Sequence, residues 1–330
     1  MDIRTTERGD FMRCRRMWMF SSANGMNLEP FGPAAAALYV GTMIHNVLGM
    51  QSHGIPWREV LDDLTQHEIS RYSRAYEERV GCKPSPSELD KFGQFYSLCE
   101  TVLDGYFRQY GTENHLAPYK VLEIEYDFRV PIPGVEDGFL KGRMDAVVED
   151  ALGRLWVVDH KTTSGNFPSE FDLTWNDQFR HYVWALTKMQ PDRTVAGVVY
   201  NGIRKKSPAI PARTTAGKIS RAHIATTPEI YRKAVLANGE DPAEYADVLE
   251  RLEKQQPFYK RMAIEYSPTD WKVLEDALRA IYYDMRDGIP YPNFRWEGCW
   301  DCSYQDLCYL VESGLPLEGG LSRYQQREGA

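Results

Sequence analysis

The sequence predicts an α/β protein: a mixed β-sheet core of β-β-β-α-β order, flanked by helices, with a helical region before it and cysteine-rich helical material after it. Period-two alternation starts at Tyr119, and short apolar runs recur as far as Tyr200. Helical periodicity with polar faces fills most of the first 110 residues, and Gly/Pro-rich turns separate the segments. A chain of 330 residues with 43% hydrophobic side chains can bury one large decorated core or two smaller ones.

Residues 1–117 form the helical region. Residues 11–20 read as one short helix and 34–50 as a second, while 57–80 and 88–110 are longer helices split by Gly81-Cys82-Lys83-Pro84-Ser85-Pro86. Residues 118–202 are the core. Within 119–130, Val121, Glu123, Glu125 and Asp127 alternate with Leu122, Ile124, Tyr126 and Phe128, as in a half-buried strand. A turn at 131–138 leads to strands 139–148 and 155–161, a helix over 175–189 and a strand over 194–200. Residues 203–266 hold a loop with Pro208, Pro211 and Gly217, helices over 228–237 and 242–255, and a strand over 261–266 returning to the core. Residues 267–317 carry a helix over 268–286 and a cysteine cluster, and 318–330 read as a flexible tail.

Charge and composition exclude several classes. The longest apolar stretch, residues 33–44, is shorter than the roughly 20 residues a membrane span needs. No apolar leader follows Met1-Asp2-Ile3-Arg4, so a cytoplasmic protein without a membrane partner is expected. No phosphate-binding G-x-x-x-x-G-K-[ST], G-x-S-x-G elbow or H-E-x-x-H motif is present. The net charge is −8 (39 basic against 47 acidic side chains), which opposes nucleic acid in bulk. Locally the sign reverses: residues 193–228 contain Arg193, Arg204, Lys205, Lys206, Arg213, Lys218 and Arg221 with no Asp or Glu, and Arg13, Arg15 and Arg16 form a second basic knot. Such patches fit phosphate contact, with Arg204, Lys205 and Lys206 as the DNA-binding candidates.

The chemistry centres on Val157-Val158-Asp159-His160-Lys161. Strand alternation places Asp159 and Lys161 on one face. Asp145, on the preceding strand, comes beside Asp159 if the two strands pair as a hairpin. Two buried carboxylates repel each other, and a cation between them relieves the cost; Mg²⁺ or Mn²⁺ suits such oxygens. His45 lies on an apolar helix, and Gln178 and Tyr182, four residues apart, share a helix face. Of the six cysteines, Cys299, Cys302 and Cys308 form C-x2-C-x5-C, a metal-ligand spacing that leaves a fourth thiolate to be found upstream. Iron–sulfur and zinc both suit four thiolates. Eight aromatic residues fall within 281–310 (Tyr282, Tyr283, Tyr291, Phe294, Trp296, Trp300, Tyr304 and Tyr309), and most are expected to pack a dry shell around these cysteines.

In order, Gly-x-x-x-His at His45, Gly-x-x-Asp at Asp145, Asp-x-Lys at Asp159 and Lys161, and Gln-x-x-x-Tyr at Gln178 and Tyr182 resemble the motif series of the RecB-like branch of the PD-(D/E)XK nuclease superfamily. Phe-x-x-Cys at Phe11 and Cys14, with the C-terminal cysteine spacing, resembles its iron–sulfur subgroup, which includes the AddB nuclease, CRISPR-associated spacer-acquisition exonucleases and phage relatives. The sequence departs from that pattern at Arg15, where proline is common, and at His160, where an apolar residue is usual. The resemblance implies a restriction-endonuclease-like core and a metal-dependent DNA exonuclease acting on DNA ends or single strands. In this reading His45, Asp145, Asp159 and the His160 carbonyl hold Mg²⁺ or Mn²⁺, Lys161 orients water, and Gln178 and Tyr182 shape the site. Cys14, Cys299, Cys302 and Cys308 would hold a [4Fe–4S] cluster that clasps the chain ends. A phage-encoded chain would act in the host cytoplasm, and a protein partner is not readable. The rival readings are an inactive DNA-binding scaffold and a zinc-clasped protein in which Asp-x-Lys is a surface ion pair.

Overall fold

A computed structural model describes residues 1–31, 36–255, 257–266, 270–294 and 299–327. All five expected strands form: β3 (Lys120–Pro131), β4 (Phe139–Glu149), β5 (Leu155–Thr163), β6 (Val195–Arg204) and β7 (Tyr259–Glu265). They join β1 (Asp2–Arg4) in one sheet of order β1-β4-β5-β6-β7, with β3 along the other edge of β4. The sheet is mixed. β1–β4 and β5–β6 are parallel; β3–β4, β4–β5 and β6–β7 are antiparallel. Parallel β5 and β6 require a crossover, which α6 (Glu170–Thr174) and α7 (Asp177–Met189) supply. The helix expected over 175–189 is α7, capped by Asn176, whose side-chain oxygen accepts the Phe179 N–H at 3.1 Å; the short α6 before it was not expected.

Both faces of β5 are covered, which explains its unbroken Leu155-Trp156-Val157-Val158 run. Leu155 and Val157 pack in one core with Phe179, Val183 and Leu186 of α7 and with Leu274 and Leu278 of α10 (Lys272–Asp287). Trp156 and Val158 pack on the other face with Leu116, Val148 and Val199. On that side lie α3 (Ala36–Ser52), α4 (Trp57–Val80) and α5 (Pro86–Tyr110), sharing a core around Ile44, Leu61, Leu103 and Tyr106. Ser85 starts α5 through a capping box with Glu88. The insertion is irregular over residues 205–227 apart from an Arg213–Ile219 bridge. It then forms α8 (Pro228–Ala237) and α9 (Ala246–Gln255) over a small core of Tyr231, Val235, Tyr245 and Leu252.

Two segments differ from expectation. The helix expected over 11–20 is two helices, α1 (Thr5–Arg13) and α2 (Arg15–Ser21), because Cys14 between them is extended at φ −163°, ψ 117°. Phe11 and Trp18 pack edge to face across that break, their rings 5.2 Å apart. The expected flexible tail is ordered over its described length. Residues 318–321 are helical, and β8 (Tyr324–Gln326) pairs antiparallel with β2 (Leu28–Pro30). The cause is aromatic: buried Tyr324 stacks on buried Tyr304, ring centres 5.5 Å apart. The expected helix starts at Ala34 and Pro268, the aromatic Trp296 and the last three residues of the tail lie outside the described residues.

Candidate active site

One edge of β4 is shared by two strands. β1 pairs with residues 139–141 and β5 with residues 146–149, so residues 142–145 face no strand there. Backbone polar groups at such a gap need other partners. The His160 N–H donates to Asp145 Oδ2 at 2.6 Å, and the Arg143 carbonyl accepts from the Tyr182 hydroxyl at 3.0 Å. The gap is the Gly-x-x-Asp motif itself, and Asp-x-Lys borders it. The two motif glycines allow the elements to approach closely. A Cβ on Gly142 would sit 2.8 Å from the Phe128 ring and 3.1 Å from Thr5 Oγ1, and one on Gly41 would sit 3.0 Å from Thr162 Oγ1 on β5.

The structure brings together Asp145, Asp159, His160, Lys161, His45, Gln178 and Tyr182. Lys161 Nζ donates to Asp159 Oδ1 at 2.9 Å and to Gln178 Oε1 at 3.0 Å, and Gln178 Nε2 donates to the Tyr182 hydroxyl at 2.6 Å. Gln178 and Tyr182 thus hold the lysine and close the gap in the sheet. On the other side of Asp145, His45 Nδ1 lies 3.5 Å from Asp145 Oδ2.

The two carboxylates are driven apart electrostatically. Burial, reinforced by the Asp145 charge, raises the Asp159 carboxyl above the usual range despite Lys161. Burial acts on Asp145 too, but hydrogen bonds from His45 and the His160 N–H outweigh it and hold that carboxyl low. His45 is pulled down by burial and pushed up more strongly by Asp145, so its imidazole is more basic than usual. Asp159 Oδ2 is buried with no hydrogen-bond partner, a state that costs a carboxylate at least about 1–3 kcal/mol. Carboxylate oxygens, an imidazole and a backbone carbonyl fit Mg²⁺ or Mn²⁺. Among the described residues, however, no three His, Cys, Asp or Glu side chains are drawn up into a finished metal-binding group.

A third carboxylate escaped the sequence reading. Glu125 sits past a β-bulge at φ +50°, half-buried, with Arg143 Nη1 at 3.5 Å. Burial and the Asp145 charge raise its carboxyl. Simple alternation grouped it with Glu123 and Asp127, but its own left-handed backbone breaks the alternation, so that Ile124 and Tyr126 on either side of it pack in different cores.

Cys14, Cys302 and Cys308 pack against one small core with Tyr304 and Leu307, but among the described residues no three cysteines are gathered into a metal-binding group. The Cys302 thiol is raised by burial and then by neighbouring Cys14 and Cys299, and Cys308 by burial and Cys14. All four are free and partly buried, the Asn293 N–H donates to Cys14 Sγ at 3.4 Å, and Arg13 and Arg16 stand nearby. Four thiolates, if drawn together, would suit an iron–sulfur cluster or zinc in donor chemistry. Of the other cysteines, Cys82 is exposed and Cys99 is buried. The dry aromatic shell does not form. Tyr282 and Tyr304 are buried, but Tyr283, Tyr291, Phe294, Trp300 and Tyr309 are exposed.

The acid-free run of sequence is not acid-free in space. Lys218 pairs with Glu244 and Arg221 with Asp247, both from the helical half of the insertion, and Arg193 reaches Glu149 at the far end of the sheet. Arg204 donates twice to the Gly165 carbonyl and once to Asn166, pinning the loop that leaves β5. Lys205 and the exposed Lys206 follow it, three and four residues past the Lys161–Gly202 level of the β5–β6 ladder. A cleft of about 650 Å³ lined by Arg4, Thr5, Thr6, Arg129, Lys141 and Arg143 opens onto Tyr182.

The family model of the PD-(D/E)XK nuclease superfamily matches residues 6–309, and a mixed sheet flanked by helices is consistent with a nuclease fold. The chain belongs to that superfamily, whose members are nucleases and usually use Mg²⁺ or Mn²⁺. No curated protein matches it. Among solved structures, that of SSO0001 aligns at 15% identity over 93% of this chain and 85% of that one, with a TM-score of 0.35. No described helix is long and apolar enough to cross a membrane.

Proposed function

We propose that the chain is a divalent-metal-dependent DNA exonuclease that hydrolyses phosphodiester bonds at DNA ends or in single strands, in recombination, repair or DNA processing. The observation that carries the metal site is Asp159 Oδ2, a buried carboxylate oxygen with no partner at a gap in the sheet. His45, Asp145, Asp159 and the His160 carbonyl are its ligands. When bound, the cation supplies positive charge for the dianionic transition state and acidifies the attacking water. Lys161, held between Asp159 and Gln178, orients that water, and Tyr182 fixes Gln178. The choice of exonuclease, and of a [4Fe–4S] cluster on Cys14, Cys299, Cys302 and Cys308, rests on the resemblance to the iron–sulfur subgroup, with Cys14, Cys302 and Cys308 packed against one core. Arg204, Lys205 and Lys206 are proposed to meet the DNA backbone. End-labelled single- and double-stranded DNA, incubated with and without Mg²⁺ or Mn²⁺, tests the activity. Shortening from the ends that needs the cation and fails in Asp159→Ala is the expected result. Metal-independent cutting, or none, overturns it.

A further inference from the structure

His160 stands where the resemblance leads one to expect an apolar side chain, and the structure shows what it does there. Alternation along β5 turns its ring away from Asp159 and Lys161, toward the helical face of α3 and α5. There it joins a buried polar chain. Asn201 Nδ2 lies 2.7 Å from His160 Nδ1 and 2.9 Å from the Tyr106 hydroxyl. That hydroxyl lies 3.1 Å from His115 Nδ1, and His115 Nε2 lies 2.8 Å from Ser52 Oγ. Tyr106, Asn201, His115 and His160 are all buried.

Arg261 fixes the direction of every proton in the chain. A guanidinium can only donate. Arg261 donates to Asn201 Oδ1 at 3.3 Å, which orients the amide so that Nδ2 must donate to both His160 Nδ1 and Tyr106. It also donates to the Tyr106 oxygen at 3.1 Å and to the His115 and Ala117 carbonyls at 2.8 and 3.2 Å. With two donors on its oxygen, Tyr106 gives its own proton to His115 Nδ1. His115 then carries its proton on Nε2 and donates to Ser52, which donates to the Leu48 carbonyl at 3.0 Å. Both imidazoles are neutral in this arrangement, in keeping with burial that lowers His115 to about 4 and His160 to about 3.

The chain ends on the helix stripe that bears His45. His45, Leu48 and Ser52 follow the three-then-four spacing of one face of α3, and the His45 and His160 rings meet edge to face at 5.9 Å. We propose that Arg261, Asn201, Tyr106 and His115 are positioning residues of the metal site: they lock α3 to β5 from behind and so fix His45 against Asp145 and Asp159. This rests on reading the strand gap as a metal site. Partners behind the ligands of known metal sites act in this way, and losing one costs about 10- to 100-fold in metal affinity.

Tyr106→Phe removes a single oxygen from the middle of the chain. Tyr259→Phe is the matched control: Tyr259 is buried on the same side, and its hydroxyl donates to the Val102 carbonyl at 2.8 Å, outside the chain. Wild type and both variants are titrated with Mn²⁺ alone by electron paramagnetic resonance and assayed for turnover at saturating Mn²⁺. The expected result is a Kd about tenfold higher for Tyr106→Phe only, with turnover at saturation near wild type. Ser52→Ala, which cuts the chain at its half-buried end, should shift Kd the same way by a smaller factor, and it carries the test if Tyr106→Phe does not fold. Wild-type Mn²⁺ binding with no shift in the chain variants, or with an equal shift in Tyr259→Phe, overturns the positioning role alone. A wild type that binds no Mn²⁺ overturns the metal-site reading and this inference with it.

Discussion

The strand gap and the cysteine corner both gather metal-ligand chemistry, but by different means. At the gap, β4, β5 and α7 set each side chain, and every polar group around Lys161 has a partner except Asp159 Oδ2. At the corner, the thiols come from the break between α1 and α2 and from a short C-terminal segment, all partly buried, with exposed aromatic residues around them. The first site is built by the sheet. The second rests on a small core of Met17, Phe20, Leu28, Tyr304, Leu307 and Tyr324, to which a metal bridging its thiols would add folding energy.

The most severe test of that contrast is Asp159→Ala or Lys161→Ala. Cleavage should fall by at least about 10³-fold, the scale of losing a group that stabilises the transition state directly, while the thermal midpoint holds because the sheet makes the gap. Loss of activity together with folding would erase the distinction. At the corner the order reverses. Cys14→Ala should abolish bound iron or zinc in anaerobically purified protein and open the C-terminal segment to limited proteolysis, whereas Cys99→Ala should keep the metal. Equal loss in both variants would show that Cys14 is not the fourth ligand.

Acid should attack the region of the gap through histidines held neutral. Burial lowers His115 to about 4, and His160 and His181 to about 3, against about 6.5 in an unfolded chain. Below pH 6.5 the unfolded state binds more protons than the native one, so stability falls with pH until the folded values are reached. Three such groups give a slope approaching about 4 kcal/mol per pH unit, visible as a thermal midpoint that drops between pH 6.5 and 5. A flat midpoint would mean these rings titrate normally.

The smallest effect is expected from replacing Arg204, Lys205 and Lys206 with alanine. Arg204 is committed to the Gly165 loop, so the salt dependence of single-stranded DNA binding should flatten by nearer two phosphate contacts than three, a slope change of about 1.4. Turnover at saturating DNA should hold. Unchanged slopes would leave the patch a solvated loop.

Much of the gap was legible because its residues sit on elements with strong periodicity. Asp159 and Lys161 end an apolar run, and Gln178 and Tyr182 share a helix face. The gap itself was not, because β1 is three residues long and carries no periodic signal, yet its pairing with residues 139–141 leaves residues 142–145 free. Glu125 was hidden by its own left-handed backbone, which changes the facing of a strand without changing its composition. The network behind His160 draws on α3, α5, β6 and β7, whose polar members look like isolated residues in sequence. The ordered end of the chain depended on Tyr324 finding Tyr304, a contact between two segments that are both short.

The packing of Cys14 against the core that also holds Cys302 and Cys308 imposes a schedule on biosynthesis. Cys14 is made 285 residues before Cys299, the first of the C-terminal cysteines. At about 5–20 residues per second, that is a wait of roughly 15–60 s in which Cys14 has no partner. The sheet, complete once β7 has emerged, can form within that interval, and the corner can close only afterwards. Stress that slows synthesis or oxidises thiols during the wait would therefore leave molecules with a finished strand gap and an open clasp.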